Sequence, residues 1–142
     1  METNSLFQKF VAFSTSVHRV THEITKGVKS DTVTPVQYSI LEYIFVSQPV
    51  TPSQISDCQY ISMSNTSREL KKLSEKNLIE KFEDPEDRRK QYVRLSRDGE
   101  AMMNTAFNII ESRFLTRIKD APKEDLDDIE HALDILHEKL FY

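Results

Sequence analysis

Apolar residues recur along most of this chain every three or four positions, the spacing that lines one side of a helix. Leu6, Phe10, Phe13, Val17, Val20, Ile24 and Val28 predict a long amphipathic helix at the start. Thr34-Pro35-Val36-Gln37 and Thr51-Pro52-Ser53-Gln54 read as two helix starts of the same design. In each, threonine caps, proline takes the first helical position where its missing N–H costs nothing, and glutamine reaches back to the cap. The first of these helices runs through Tyr38, Leu41, Ile44 and Phe45 to Ser47-Gln48-Pro49. The second is short, from Pro52 to about Cys58, with Ile55 facing inward. A further helix begins near Ser62, with Met63, Thr66, Leu70 and Leu73 as its inner stripe. Asn77 stands where a left-handed closing residue is expected.

The period then changes. Leu78-Ile79-Glu80-Lys81-Phe82 and Tyr92-Val93-Arg94-Leu95 are short β-like runs, and the charged, proline-containing stretch Glu83 to Lys90 between them predicts a hairpin with a long tip. Helical spacing returns after Ser96, which caps a helix carrying Met103, Phe107, Ile110, Phe114 and Ile118. Asp120-Ala121-Pro122 interrupts it, and a last helix carries Leu126, Ile129, Leu133, Leu136 and Leu140. The fold class expected is mainly α with a small β-hairpin wing: a winged helix-turn-helix at 34–96, and long helices at 1–33 and 97–142 that serve dimerisation.

Composition narrows the classes. The chain has 142 residues, the size of one ordinary domain, with two glycines and no tryptophan, which favours helix over sheet. No apolar run approaches the roughly 20 residues that span a bilayer, and Met1 to Ser5 lacks a basic-then-apolar leader. With a single cysteine, Cys58, no internal disulfide forms; together these features predict a cytoplasmic protein without membrane contact.

The formal net charge of −4 argues against a nucleic-acid partner until its distribution is considered. Between Ser62 and Arg97 lie ten basic and seven acidic side chains, so a basic middle is flanked by acidic ends. Short helix, turn, second helix and hairpin in that order suit double-stranded DNA, because a helix fits the major groove and its outward side chains meet base edges. Ser64, Asn65, Ser67 and Arg68 are the candidates to read bases, with Arg68 able to pair with guanine and Asn65 with adenine. Lys71, Lys72 and Lys76 suit phosphate contacts. Arg88, Arg89 and Lys90 at the hairpin tip suit an adjacent minor groove.

The run from Asp84 to Gly99, with Asp84-Pro85-Glu86-Asp87-Arg88-Arg89 and then Val93-Arg94-Leu95-Ser96-Arg97-Asp98-Gly99, resembles the wing signature of the multiple-antibiotic-resistance regulator (MarR) family. Thr34-Pro35-Val36-Gln37-Tyr38-Ser39-Ile40-Leu41 resembles the family's T-P-x-Q-x-x-x-L helix, and Leu73 to Lys81 resembles its exit from the recognition helix, with Asn77 where glycine is usual. The resemblance implies a homodimeric, ligand-responsive repressor bound to a pseudo-palindromic operator, with the first and the last two helices at the dimer interface. It implies that an aspartate and an arginine of the wing pair to hold its shape while another arginine enters the minor groove. Asp87, Arg88 and Arg89 occupy those positions, and the sequence leaves open which arginine does which.

Many members of that family bind small aromatic or anionic effectors between the dimerisation helices and the DNA-binding lobe. Phe13, His18, Arg19, His22 and Tyr38 are the candidates here. Cys58 reads as a small, partly buried apolar residue; the peroxide-sensing branch keeps its cysteine in the first helix, where this chain has none. His18 and His22 are four apart and close enough to share a metal, but no third ligand is evident, and the helix after the wing holds no histidine. No metal or cofactor is expected. Neither a nucleophile–base pairing nor a glycine-rich phosphate loop is present, which leaves no reading as an enzyme. A winged helix that binds protein is the rival, and cations on both helix and wing argue against it.

Overall fold

The computed structural model describes residues Thr3–Tyr142. Both threonine caps form as their sequences require. Thr34 Oγ1 accepts from Gln37 N and Gln37 Oε1 accepts from Thr34 N, which starts α2 (Pro35–Ser47). Thr51 and Gln54 repeat the exchange at α3 (Pro52–Gln59). Ser62 Oγ accepts from Asn65 N to open α4 (Met63–Glu75). Ahead of these lies α1 (Thr3–Thr25), so the stripe ends at Ile24 and Val28 falls outside the helix.

Asn77 has φ 59°, the left-handed conformation that an asparagine tolerates better than most residues, and Asn77 N bonds Ser74 O as the chain leaves α4. Two strands follow, β1 (Ile79–Glu83) and β2 (Gln91–Leu95), antiparallel with Ile79 opposite Leu95 and Phe82 opposite Tyr92. Val50 adds a third, one-residue rung: its N–H and C=O bond Val93 at 3.1 and 2.7 Å. The sequence before Thr51 reads only as the end of a helix, because a single bridging residue leaves no periodicity. The chain ends with α5 (Arg97–Ile118) and α6 (Lys123–Lys139).

The described residues divide into two units. Thr25–Ile109 form one, and the residues up to Ile24 together with Ile110–Tyr142 form the other. The first has a closed core. Ile40, Leu41 and Ile44 of α2, Ile55 of α3, Leu70 and Leu73 of α4, Val93 of β2 and Met103 of α5 are buried, with Phe45 and Phe107 in ring contact at 4.8 Å beside them. Truncating such a leucine to alanine costs about 2–5 kcal/mol. Met63 departs from the stripe expected of α4: at the first helical position it is 49% exposed, while Thr66 is wholly buried.

The second unit is built differently. No residue of α1 or α6 is buried, and Leu6, Phe7, Phe13, Val17, Leu115 and Leu133 are all exposed. The contacts that hold α1 within the unit include Arg113 donating to Ile24 O, Arg117 pairing with Glu23, and Phe10 meeting Phe141 at 6.3 Å between ring centres.

One backbone approach fixes how the wing meets α5. Ser96 Oγ accepts from Gly99 N at 3.0 Å and donates to Asn77 O at 2.6 Å, while Ser96 N donates to Leu78 O. This draws the first turn of α5 against the start of β1, and a Cβ on Gly99 would lie 2.1 Å from Leu78 O. Backbone cannot yield as a side chain does. Gly99→Ala is therefore expected to destabilise the first unit by about 3 kcal/mol, at the upper end for overpacking, and thermal unfolding followed at 222 nm checks this. A melting temperature equal to that of the parent would show that the contact relaxes freely.

Candidate nucleic-acid interface

The helix-turn-helix is formed by α3 and α4. Tyr60, left-handed at φ 54°, ends α3, and its N–H returns to Ser56 O. Ser56 is buried and bonds Ile61 in both directions, with Ile61 N on Ser56 O at 3.3 Å and Ser56 Oγ on Ile61 O at 2.6 Å. The turn is thereby fixed by one small polar residue. Thr66, Leu70 and Leu73 then seat α4 on the core. Because these three share a stripe, Ser64, Asn65, Ser67, Arg68, Lys71 and Lys72 are left exposed, as expected from the sequence. Arg68 Nη2 donates to Asn65 Oδ1, so the two candidate base readers form one polar pair on the surface.

The four cationic candidates of α4 do not behave alike. Lys71 makes no ion pair among the described residues. Lys72 pairs with Glu69 at 3.4 Å. Lys76, also expected to meet phosphate, is exposed, and its Nζ donates to Thr32 O at 2.7 Å and Gln37 Oε1 at 2.8 Å. Two carbonyl-type oxygens within reach hold the ammonium there. Gln37, which is 2% exposed, also donates through Nε2 to Glu69 Oε2 at 3.1 Å. Local sequence exposes only the capping half of Gln37, because its other partners lie 32 and 39 residues away.

The wing is a stiff ribbon with a structured tip. Phe82 and Tyr92 stack across the strands at 5.7 Å, and the Arg94 guanidinium lies 4.5 Å over Phe82 while pairing with Glu80 at 3.0 Å. Arg94 is thus a wing-base residue, a role that its bare position in the sequence does not disclose. At the tip, Asp84 N bonds Lys90 O and Asp84 Oδ1 accepts from Glu86 N at 2.8 Å. Asp87 Oδ1 accepts from both Arg89 N at 3.1 Å and Arg89 Nε at 3.3 Å. Of the two tip arginines, Asp87 therefore pairs with Arg89. The Arg89 side chain is 92% exposed, with its Nε on Asp87. Arg88 and Lys90 are exposed beside it.

The expected effector residues are not brought together as a set. Phe13 and His18 of α1 line a cleft of about 550 Å³ with Val17, Leu133, Leu136 and His137. Arg19 instead pairs with Glu23 at 3.5 Å, and His22 is exposed without lining that cleft. Tyr38 belongs to the other unit, where its hydroxyl is buried with no hydrogen-bond partner. Cys58, expected to be partly buried, is exposed on α3, because Ile55 and Ser56 take the inward positions of that short helix. Among the described residues no three histidine, cysteine or acidic side chains gather as a metal site, and no helix is long and apolar enough to cross a membrane.

These elements define a winged helix-turn-helix whose recognition helix and wing both present cations. The MarR family model matches residues 33–90, which covers α2, α3, α4, β1 and the wing tip. Over that segment the chain is similar to the MarR family. Solved structures share its fold. The transcriptional regulator Tm0710 from Thermotoga maritima is 23% identical, with 92% of this chain and 96% of that one covered and a TM-score of 0.67. A MarR family protein from Bacillus stearothermophilus is 16% identical, with 99% and 96% covered and a TM-score of 0.74. Streptococcus pneumoniae FabT in complex with DNA is 17% identical, with 98% and 97% covered and a TM-score of 0.65. No curated protein matches the sequence.

The surroundings of Tyr38 carry a pH dependence. Burial holds the Glu42 carboxyl above its ordinary value, and burial followed by the Glu42 charge raises the Tyr38 phenol. The folded chain therefore binds the Glu42 proton more tightly than the unfolded chain. The stability Glu42 contributes is complete below the unfolded value of about 4.3 and is lost as pH rises through the folded one. Glu42→Gln is expected to raise the melting temperature at pH 7, with the gain vanishing near pH 4. An equal gain at both pH values would show that charge burial is not its origin.

Proposed function

We propose that this chain is a cytoplasmic homodimer that binds a pseudo-palindromic operator in duplex DNA as a repressor, and that a small aromatic or anionic effector releases it. The observation that carries the DNA reading is the pairing of two cationic surfaces on one closed unit. The outer face of α4 offers Ser64, Asn65, Ser67, Arg68, Lys71 and Lys72, and the wing tip offers Arg88, Arg89 and Lys90 shaped by Asp87. Arg68 and Asn65 read base edges in the major groove. Where the resemblance implies one arginine that pairs and another that inserts, Arg89 takes both parts in this reading: oriented by Asp87 through its Nε, it probes the minor groove, while Arg88 and Lys90 hold the flanking phosphates. The DNA complex of Streptococcus pneumoniae FabT, which shares the fold, supports this reading.

Dimerisation rests on the second unit. Exposed apolar side chains spread over α1, the end of α5 and α6 support this, because contiguous apolar surface is ordinarily covered by a partner. A two-fold pair of winged units presents recognition helices to half-sites about 34 Å apart and multiplies affinity. The effector reading is supported by the Phe13–His18 cleft, whose walls are apolar and whose polar groups include two imidazoles, His18 and His137.

Three variants separate the parts. With duplexes selected by the wild-type protein from a random pool, Arg68→Ala and Arg89→Ala are each expected to lose about 1–3 kcal/mol of binding and to relax the selected sequence. Lys71→Ala is expected to weaken all duplexes alike and to reduce the slope of log K against log salt by about 1. Wild-type protein that selects no sequence at moderate salt would overturn the DNA reading in favour of a protein-binding winged helix.

Leu115, 51% exposed near the end of α5, tests the assembly. Sedimentation equilibrium is expected to give twice the 16.6 kDa chain mass for the wild type, and a shift toward the single-chain mass for Leu115→Asp. An unshifted mass would move the interface off that face.

A further inference from the structure

Glu69 is out of place on a DNA-reading face. It lies between Arg68 and Lys71 in sequence, and a carboxylate close to phosphates weakens binding. Its geometry supplies a reason for its presence. At about 100° per residue, Glu69 sits roughly 60–70° from the centre of the buried stripe Thr66, Leu70 and Leu73. It therefore lies on the flank of α4, at the edge of the core, where a tether resists rotation of the helix. Its Oε2 accepts from Gln37 Nε2 at 3.1 Å, and its Oε1 faces Lys72 Nζ at 3.4 Å.

The orientation of Gln37 is determined from the other side. Gln37 Oε1 takes two donors, Thr34 N at 3.1 Å and Lys76 Nζ at 2.8 Å. Two donors on that atom require it to be the oxygen, which aims the NH₂ end at Glu69. The residue is almost wholly buried, so losing a partner leaves an amide hydrogen unsatisfied. Lys76, which also holds Thr32 O, closes the arrangement at the end of α4. One buried amide thus joins the cap of α2 to two points on the same flank of α4.

We propose that Glu69, through Gln37 and with Lys76, is a positioning residue that sets the rotation of α4 and hence the register of Arg68 and Asn65 on base edges. This rests on the reading of α4 as the DNA-recognition helix. Rotation matters because a turn of about 20° at a helix radius of 5–6 Å displaces a side chain by roughly 2 Å, more than a bidentate hydrogen bond tolerates. Contacts to phosphate are less sensitive, since a lysine on a flexible stem follows the displaced oxygen.

The test compares affinity for a duplex selected by the wild type with affinity for a scrambled duplex of equal length. Glu69→Gln keeps an acceptor for Gln37 and is expected to retain the wild-type preference within about threefold. Glu69→Leu keeps the size but removes the acceptor. It is expected to lose roughly tenfold or more of the preference, while scrambled-duplex binding stays level or tightens. Lys76→Met is expected to lose preference in the same direction. Circular dichroism and melting temperature confirm that each variant is folded, and Glu69 and Lys76 serve as independent probes should one of the two substitutions unfold the chain.

Two results overturn the proposal. If Glu69→Gln and Glu69→Leu tighten both duplexes equally, Glu69 is only a repelling charge. If Lys76→Met weakens both duplexes equally and lowers the salt slope by about 1, Lys76 is a phosphate contact and not part of a clamp. A wild type with no preference between the duplexes overturns the parent reading of α4 as well, and so is distinguishable from failure of the clamp alone.

Discussion

Everything the first unit offers to a partner depends on three buried side chains of α4. Thr66, Leu70 and Leu73 meet a core contributed by α2, α3, β2 and α5, and that contact leaves the helix only one way to face. The polar residues between them are outward by geometric necessity and not by any preference of their own. A helix held by a narrow stripe can nevertheless roll, because dispersion contacts among aliphatic side chains have weak angular dependence. Hydrogen bonds supply the direction that packing lacks. In this molecule they lie on the flank, where the Gln37 amide reaches Glu69 and Lys76 reaches Thr32 and Gln37. The wing is handled in the same manner, with β pairing for position and the Asp87 carboxylate for the aim of Arg89.

The two units divide the thermodynamic work. The unit from Thr25 to Ile109 gathers most of its large aliphatic residues into a closed core between capped helices, with Val36, Val46 and Met63 left exposed. The other spreads its apolar side chains over α1, α6 and the later part of α5 without burying them. Surface of that kind is stable in water only when covered, since each apolar Å² left exposed forfeits roughly 25 cal/mol. If the chain associates as proposed, folding of the second unit and association are one process, with concentration entering its stability. Acidic residues suit the start of α6, where Glu124 and Asp125 meet the positive end of the helix dipole.

How much of this was legible in the sequence depended on whether the cause was local. The two Thr-Pro-x-Gln starts, Asn77 and the Ser96 cap each signal through neighbours within a few residues, and the structure has them in those roles. The outward face of α4 followed from period alone. The hairpin was readable because Ile79–Glu83 and Gln91–Leu95 are β-rich runs around a charged turn. What failed to show were contacts between residues far apart in the chain. Val50 joins the sheet through one bridge, Arg94 covers Phe82 from the opposite strand, and Lys76 reaches back to Thr32. Met63 and Cys58 were misjudged for a related reason: the spacing of apolar residues marks a helix face but not how far the core extends along it. Which wing arginine Asp87 pairs with also needed coordinates, since Asp87 stands next to one and two positions from the other.

Charge makes the same point about locality in function. A chain with a formal net charge of −4 has no long-range pull toward DNA. At physiological ionic strength a charge is felt over only about 8 Å, so the sum over the chain decides little and the faces decide much. On the proposed reading, the cations of α4 and the wing act on phosphates that they nearly touch. The acids elsewhere lower indiscriminate attachment to polyanions without weakening that contact. Such a protein relies less on a general electrostatic background than a strongly basic one does, and more on short-range complementarity at base edges. Short-range complementarity demands that the reading side chains be held to within a fraction of an ångström to one ångström. A modest electrostatic drive and a hydrogen-bonded clamp on the recognition helix are therefore two sides of one physical requirement.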